Sequence, residues 1–278
     1  MLVNGKEILI EAKRQNKAIF HFNINNLEWT KYILLECNKL NISVILGVSE
    51  SAVNYMGGYN TVVNLVKGLI KDLDIKINVI LHLDHGKSFE SCKNAIDAGF
   101  TSVMIDGSLK ELEENIRITK QVVEYAHMKE VTVEAELGAM GELKDDQVSF
   151  GKLTNVSDCL EFVNKTKIDS LAASVGTVHG KYTKELNIDY NLIKDIADSI
   201  DIPLVLHGGS GLSNDILKKC VLSGITKINV NSDLQDAWSK GVRKFLEENK
   251  SVIDPRKIIL SGINNLTKEI DNKININN

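Results

Sequence analysis

Three of the chain's six histidines stand where a metal site would need them. His85, His179 and His207 each sit at or just beyond the polar end of a short apolar run. Three neutral imidazoles with an open fourth position make a catalytic zinc site. One histidine beside a loop is as easily an isolated polar residue, but three at equivalent positions point to a shared ligand. The other histidines read differently. His82 lies two residues before Asp84, shares its face and reads as a satisfied core residue. His21 belongs to the first run and His127 to a helix end, and both read as structural.

Carboxylates and glycines surround these histidines in sequence. Asp84 and His85 are adjacent, so in a regular strand they would face opposite ways. Both reach one site only where the strand gives way to a loop, and Gly86 follows at once. Asp84 then suits a general base beside the metal. Its competing role is to orient a ligand histidine. Asp106 and Glu136 close two further runs as hard oxygen ligands for a second or displaced metal position. Glu134 shares the face of Glu136 by period-two spacing and reads as a structural hydrogen-bonding residue, because a deeper carboxylate needs partners. Gly180 follows His179, and Gly208, Gly209, Ser210 and Gly211 follow His207. Asn229, Val230, Asn231 and Ser232 close the last run before a helix that opens near Asp233. Loops of this kind after the seventh and eighth strands of a barrel cradle phosphate with backbone N–H groups.

The elements that must position these residues form a regular alternation. Apolar runs lie at 18–23, 43–49, 78–85, 102–107, 131–138, 170–176, 203–209 and 227–231. Each is short and ends in a polar or glycine residue, as buried parallel strands do. Helical patterns lie between them, for example at 28–40, 61–73, 89–99, 111–128, 189–200, 214–224 and 233–248. Eight strand–helix units in 278 residues predict an α/β fold, a single (β/α)8 barrel spanning 1–278, since about 250 residues is typical of that fold. An open doubly wound sheet is the competing architecture. The polar tail 267–278 is expected to fray.

Composition narrows the function. The net charge is −4 and no basic stripe is present, which argues against nucleic acid as a partner. No apolar run is long enough to span a membrane, and the N-terminal stretch MLVNGKEILIEAKRQNK does not read as a signal peptide. Cys37, Cys92, Cys159 and Cys220 are widely spaced with no CxxC pair, which suggests a reducing cytoplasm rather than a disulfide framework.

Together, LHLDHG (81–86), GTVHGKY (176–182) and LHGGSG (206–211), with GVSESAVNYMGGY, VEAELG, KINVNSD and DPRK in the same order, resemble the class II metal-dependent ketose-bisphosphate aldolases of the fructose- or tagatose-bisphosphate type. The similarity covers almost the whole chain. It implies zinc on His85, His179 and His207, and Asp84 as the acid/base group near the substrate's C4 hydroxyl. It implies Asp106 and Glu136 at a second or mobile metal position. Gly180, Gly208, Gly209, Ser210, Asn229, Val230, Asn231 and Ser232 would hold the dihydroxyacetone-phosphate half. Asn23, Ser49 and Arg256 would lie near the other half, the last two at its phosphate. The resemblance further implies a monovalent cation (Na+ or K+) beside the phosphate loops, a homodimer or homotetramer, and cleavage of a ketose 1,6-bisphosphate to dihydroxyacetone phosphate and glyceraldehyde 3-phosphate. The zinc would act as a Lewis acid and stabilise an ene-diolate.

One departure bears on turnover. The family's mobile loop reads roughly GxxGGxEDD, whereas this chain has GAMGELKDD at 138–146. Lys144 stands at the usual loop glutamate, with Glu142 and Asp145 as the nearby substitutes. SLKEL (108–112) and LSGIN (260–264) are smaller departures. Two readings follow: an active aldolase, or a catalytically weak relative that binds zinc and sugar phosphate as a regulatory module. A related aldolase for another phosphorylated substrate is a third.

Overall fold

The computed structural model describes residues 1–138, 141–144, 147–149, 153–179 and 188–277, with backbone alone for 141–144, 147–149 and 179. Its strands are β1 (Ile19–Asn23), β2 (Val44–Ser49), β3 (Val79–Gly86), β4 (Ser102–Ile105), β5 (Thr132–Leu137), β6 (Gly141–Lys144), β7 (Gln147–Ser149), β8 (Ser170–Ala173), β9 (Val178–His179), β10 (Leu204–Leu206) and β11 (Ile225–Val230). Eight of them close into a parallel barrel in the order β1-β11-β10-β8-β5-β4-β3-β2. The open doubly wound alternative is therefore excluded. Each of the eight apolar runs holds one barrel strand. The runs at 102–107, 170–176 and 203–209 overshoot, because the ladder stops at Ile105, Ala173 and Leu206 and the remaining residues belong to loops.

Period-two alternation divides every strand between two environments. Phe20, Phe22, Leu81, Leu83, Val103, Val133 and Ile228 pack outward into the apolar layer beneath the helices. The alternate residues His21, His82, Asp84, Glu134, Glu136 and Lys227 are also buried, but are polar. The barrel interior is thus a polar column inside an apolar shell. A separate apolar cluster of Leu9, Ile45 and Ile80 lies at its N-terminal end, where the helix Lys6–Arg14 packs its buried face.

Helix starts follow the capping chemistry of the sequence. Asn26, Ser88, Asp189 and Ser213 each accept a backbone N–H three residues on, worth about 1 kcal/mol apiece. The helix Val156–Thr166, outside the patterns noted above, is capped in the same way by Asn155. The tail does not fray through 277. It forms the helix Ile263–Ile274 and a short 3-10 turn, Asn275–Asn277. Leu266, Ile270, Ile274 and Ile276 are buried, each worth roughly 1.5–3 kcal/mol. Asn277 also exchanges two hydrogen bonds with the Ala18 backbone at the start of β1. Polar composition hid this apolar stripe.

Candidate active site

His85 reaches the mouth through a backbone irregularity. The β3–β4 register shifts between Leu83 and Gly86, and His85 has φ +50°. A left-handed non-glycine residue costs free energy and marks a constrained site. The bulge turns His85 toward the side that Asp84 already faces, which resolves the opposed directions expected of neighbours in a strand. Gly86 permits it, since a Cβ there would lie 2.6 Å from the Met104 carbonyl oxygen.

The His85 and His207 rings meet edge to face, with His85 Nε2 and His207 Nδ1 3.1 Å apart. Their other nitrogens are held by carboxylates. Asp106 Oδ2 lies 2.9 Å from His85 Nδ1, and Glu134 Oε1 lies 2.9 Å from His207 Nε2. Glu136 is buried between them, its Oε2 3.9 Å from His85 Nδ1 and 3.8 Å from His207 Nδ1, with no hydrogen bond among the described residues. The ligand atoms of His85, Glu136 and His207 all lie within 4.8 Å of one another.

This arrangement fits a divalent ion. Two nitrogens on a tetrahedral centre with bonds of about 2.0–2.1 Å would be separated by about 3.3 Å. Carboxylate-backed imidazoles are the usual supports of metal-binding histidines. The field also favours added positive charge. Burial alone would lower the basicity of His85, but Asp84, the bond to Asp106, and Glu136 outweigh it and lift the imidazole to about 9. Burial, with Asp106 and Glu134 adding to it, lifts Glu136 to about 7 against the opposing charges of His207 and His85. The backbone of His179 forms β9, which pairs in parallel with β6 so that His179 opposes Glu142.

Asp84 is buried beside this cluster. Its Oδ2 accepts from Asn23 Nδ2 at 2.8 Å and lies 3.8 Å from His21 Nε2, while Oδ1 has no hydrogen bond among the described residues. Burial would raise its carboxyl, yet the charges of His21, His85, His207 and His82 hold it well below the usual range. It is therefore ionised at neutral pH, as a base must be. Below it, His82 is satisfied by Ser102 at 2.8 Å, as expected of a core histidine. His21 is fully buried and lacks a hydrogen bond on either ring nitrogen among the described residues. It fits because a Cβ on Gly47 would occupy its ring.

The remaining predicted residues divide. Asn23, Ser49 and Asn231 line one cavity of about 390 Å3 at the mouth. Ser210 Oγ accepts from Asn231 N at 3.0 Å, which ties the loops after β10 and β11 together beside Gly208 and Gly209. Asn229 Nδ2 lies 3.4 Å from His207 Nε2. Ser232 opens the helix Ser232–Glu248. Val230 is the exception in its segment: its side chain lies in the apolar shell, so only its backbone faces any ligand. Asp106 Oδ1 accepts from Ser108, so in this structure Asp106 braces His85 from behind. Arg256 is exposed, pairs with Asp254, and does not line the cavity that holds Ser49. Gly180 and Asp145 lie outside the described residues, as do the side chains of His179, Glu142 and Lys144.

Sequence reasoning missed Lys227. Its Nζ is fully buried and lies 2.6 Å from Glu134 Oε2 and 3.4 Å from His82 Nε2. The signal was present: period two from Asn229 places Lys227 inside the barrel.

The match with a family model decides what this constellation belongs to. The model described as fructose-bisphosphate aldolase class-II aligns with residues 3–278. The chain belongs to the class II fructose-bisphosphate aldolase family. Family membership implies a divalent metal, and the His85–Glu136–His207 cluster is a candidate for it. A fructose-bisphosphate aldolase of Geobacillus stearothermophilus is 52% identical over 262 residues, 94% of this chain and 91% of that one. One of Staphylococcus aureus is 51% identical over 259 residues, 93% and 91% of the two chains. Among solved structures, the YdjI aldolase from Escherichia coli K12 superposes with a TM-score of 0.86 at 29% identity, covering 99% of this chain and 97% of that one. These relatives do not favour the reading as a weak binding module. No helix among the described residues is long and apolar enough to cross a membrane.

Proposed function

We propose that this class II aldolase reversibly cleaves fructose 1,6-bisphosphate to dihydroxyacetone phosphate and glyceraldehyde 3-phosphate, with zinc held by His85, His179 and His207. One observation carries the reading: two carboxylate-backed imidazoles face each other beside an ionised Asp84 that Asn23 orients. Zinc bound there supplies a Lewis acid for the ketose carbonyl. Asp84 accepts the C4 hydroxyl proton through Oδ1, the oxygen without a hydrogen bond among the described residues, as the C3–C4 bond breaks. Asn23 keeps Oδ2 occupied, so Oδ1 keeps its direction. The joined loops after β10 and β11 hold one phosphate through backbone N–H groups other than those that Gly209 and Asn231 donate to Asn229 O and Ser210 Oγ, and Ser49 lies toward the other phosphate. The register of β6 against β9, which sets Glu142 opposite His179, favours Glu142 over Asp145 in the role of the loop glutamate whose position Lys144 occupies. The same reading includes a second or mobile metal position at Asp106 and Glu136, a monovalent cation beside the phosphate loops, cytoplasmic location, and a homodimer or homotetramer.

The test is triose-phosphate release from fructose and tagatose 1,6-bisphosphates, with and without a chelator. Release from the fructose substrate that stops on chelation and returns with zinc is expected. Chelator-insensitive cleavage, or none with added zinc, overturns the reading. Faster release from tagatose bisphosphate reassigns the substrate within the same chemistry.

A further inference from the structure

His207 can present Nδ1 to a metal only if its ring proton sits on Nε2. The nearer partner of Nε2 is Glu134 Oε1, at 2.9 Å, with Asn229 Nδ2 at a longer 3.4 Å. A carboxylate accepts on both oxygens, so this contact sets the tautomer. The other oxygen, Oε2, is 2.6 Å from Lys227 Nζ and 3.4 Å from Ser170 Oγ. All of these groups except the metal-facing ring edge are sealed inside the barrel: Lys227, Glu134 and His207 are 1%, 2% and 2% exposed. Lys227 carries three donors and no acceptor, so whatever occupies the Oε2 position must accept a hydrogen bond.

The geometry points to Lys227 as a positioning residue for the metal: by fixing Glu134 as an acceptor, it locks His207 in the tautomer that aims Nδ1 at His85 Nε2. The inference rests on the metal reading proposed above. It makes an asymmetric prediction about isosteric changes. In Glu134→Gln, Lys227 claims the amide oxygen and turns the amide NH2 toward His207. Nε2 must then accept, and the ring proton moves to Nδ1, where it blocks the metal. In Glu134→Gln/Lys227→Met the cation is gone. The amide can turn its oxygen back to Nε2–H and give its NH2 to the Ser170 hydroxyl, so the metal-competent tautomer returns. A role in packing alone predicts the opposite order, with the double variant worse than the single one.

The experiment measures Co2+ and Zn2+ affinity by competition with a chromophoric chelator, and the visible spectrum of the Co2+ protein. Wild type, His207→Ala, Glu134→Gln and Glu134→Gln/Lys227→Met are compared. Glu134→Gln is expected to weaken binding about 10–100-fold. The double variant is expected to recover most of that loss together with the wild-type Co2+ spectrum. Wild-type affinity in Glu134→Gln, or no recovery in the double variant, overturns the inference. If wild type binds neither ion, or His207→Ala binds as tightly as wild type, the metal reading itself fails. Should the double variant not fold, 15N spectra of metal-free Glu134→Gln decide the matter. A proton on His207 Nδ1 supports the lock, and one on Nε2 overturns it.

Discussion

The mouth and the floor of this barrel use the same kinds of residue to opposite ends. At the floor, Lys227, Glu134, His82, Ser102 and Ser170 are paired with one another at hydrogen-bond distance. At the mouth, two histidine nitrogens face each other at 3.1 Å, and Glu136 Oε2 and Asp84 Oδ1 lack hydrogen bonds among the described residues. Buried polar atoms without partners are costly, so the mouth is held in a state that a cation and a substrate would relieve. Histidine and carboxylate types alone do not separate ligand from scaffold. The accounting of their partners separates them except at His21, a buried histidine with no hydrogen bond on either ring nitrogen among the described residues.

Four changes sharpen or break this contrast. His85→Ala removes a mouth donor that is partly exposed and sits at the end of its strand. Metal affinity should fall by more than the roughly 10–100-fold that losing a supporting group costs, with little change in the melting temperature of the metal-free protein. Asp84→Asn should lower kcat by about 10^2–10^4 while zinc stoichiometry stays at the wild-type value. A parallel loss of metal would make Asp84 an orienting group instead. Lys227→Met acts on the floor. It leaves a buried carboxylate without its cation, so denaturant titration should show a loss of about 3–5 kcal/mol. Unchanged stability would mean that the floor is not held by this pair. The smallest effect is a slope. The metal-free site holds a proton on His85 up to about pH 9, so below that pH an entering ion must displace it. Apparent zinc affinity should rise about tenfold per pH unit up to 9 and then level off, about 1.4 kcal/mol per unit. Below about pH 7 the rise should be steeper, because protonation of Glu136 removes a negative charge that attracts the ion. A flat profile would place the ion elsewhere.

Much of this was legible in the sequence because strands with one strongly specified face leave a readable period. Each of the eight apolar runs became a barrel strand, and the polar residues that end them converge where a barrel places its site. Asp84 and His85 were correctly read as needing a break in the strand, although the left-handed turn at His85 leaves no mark beyond the following glycine. Lys227 was missed because a lysine between Thr226 and Ile228 at the start of a run reads as an exposed edge residue unless period two is carried back from Asn229. The tail misled for a related reason: asparagine and lysine dominate 267–278, while the few isoleucines that anchor it recur at helical spacing. Arg256 stands exposed at a local helix start and pairs with Asp254, a placement that no motif encodes.

The central claim is that one ion is held by three imidazoles at this mouth. Zinc X-ray absorption on the loaded protein tests it most directly, with wild type compared to His179→Ala. The account predicts three imidazole nitrogens at about 2.0–2.1 Å in wild type and two in the variant. A first shell containing sulfur, or one that His179→Ala leaves unchanged, would contradict it.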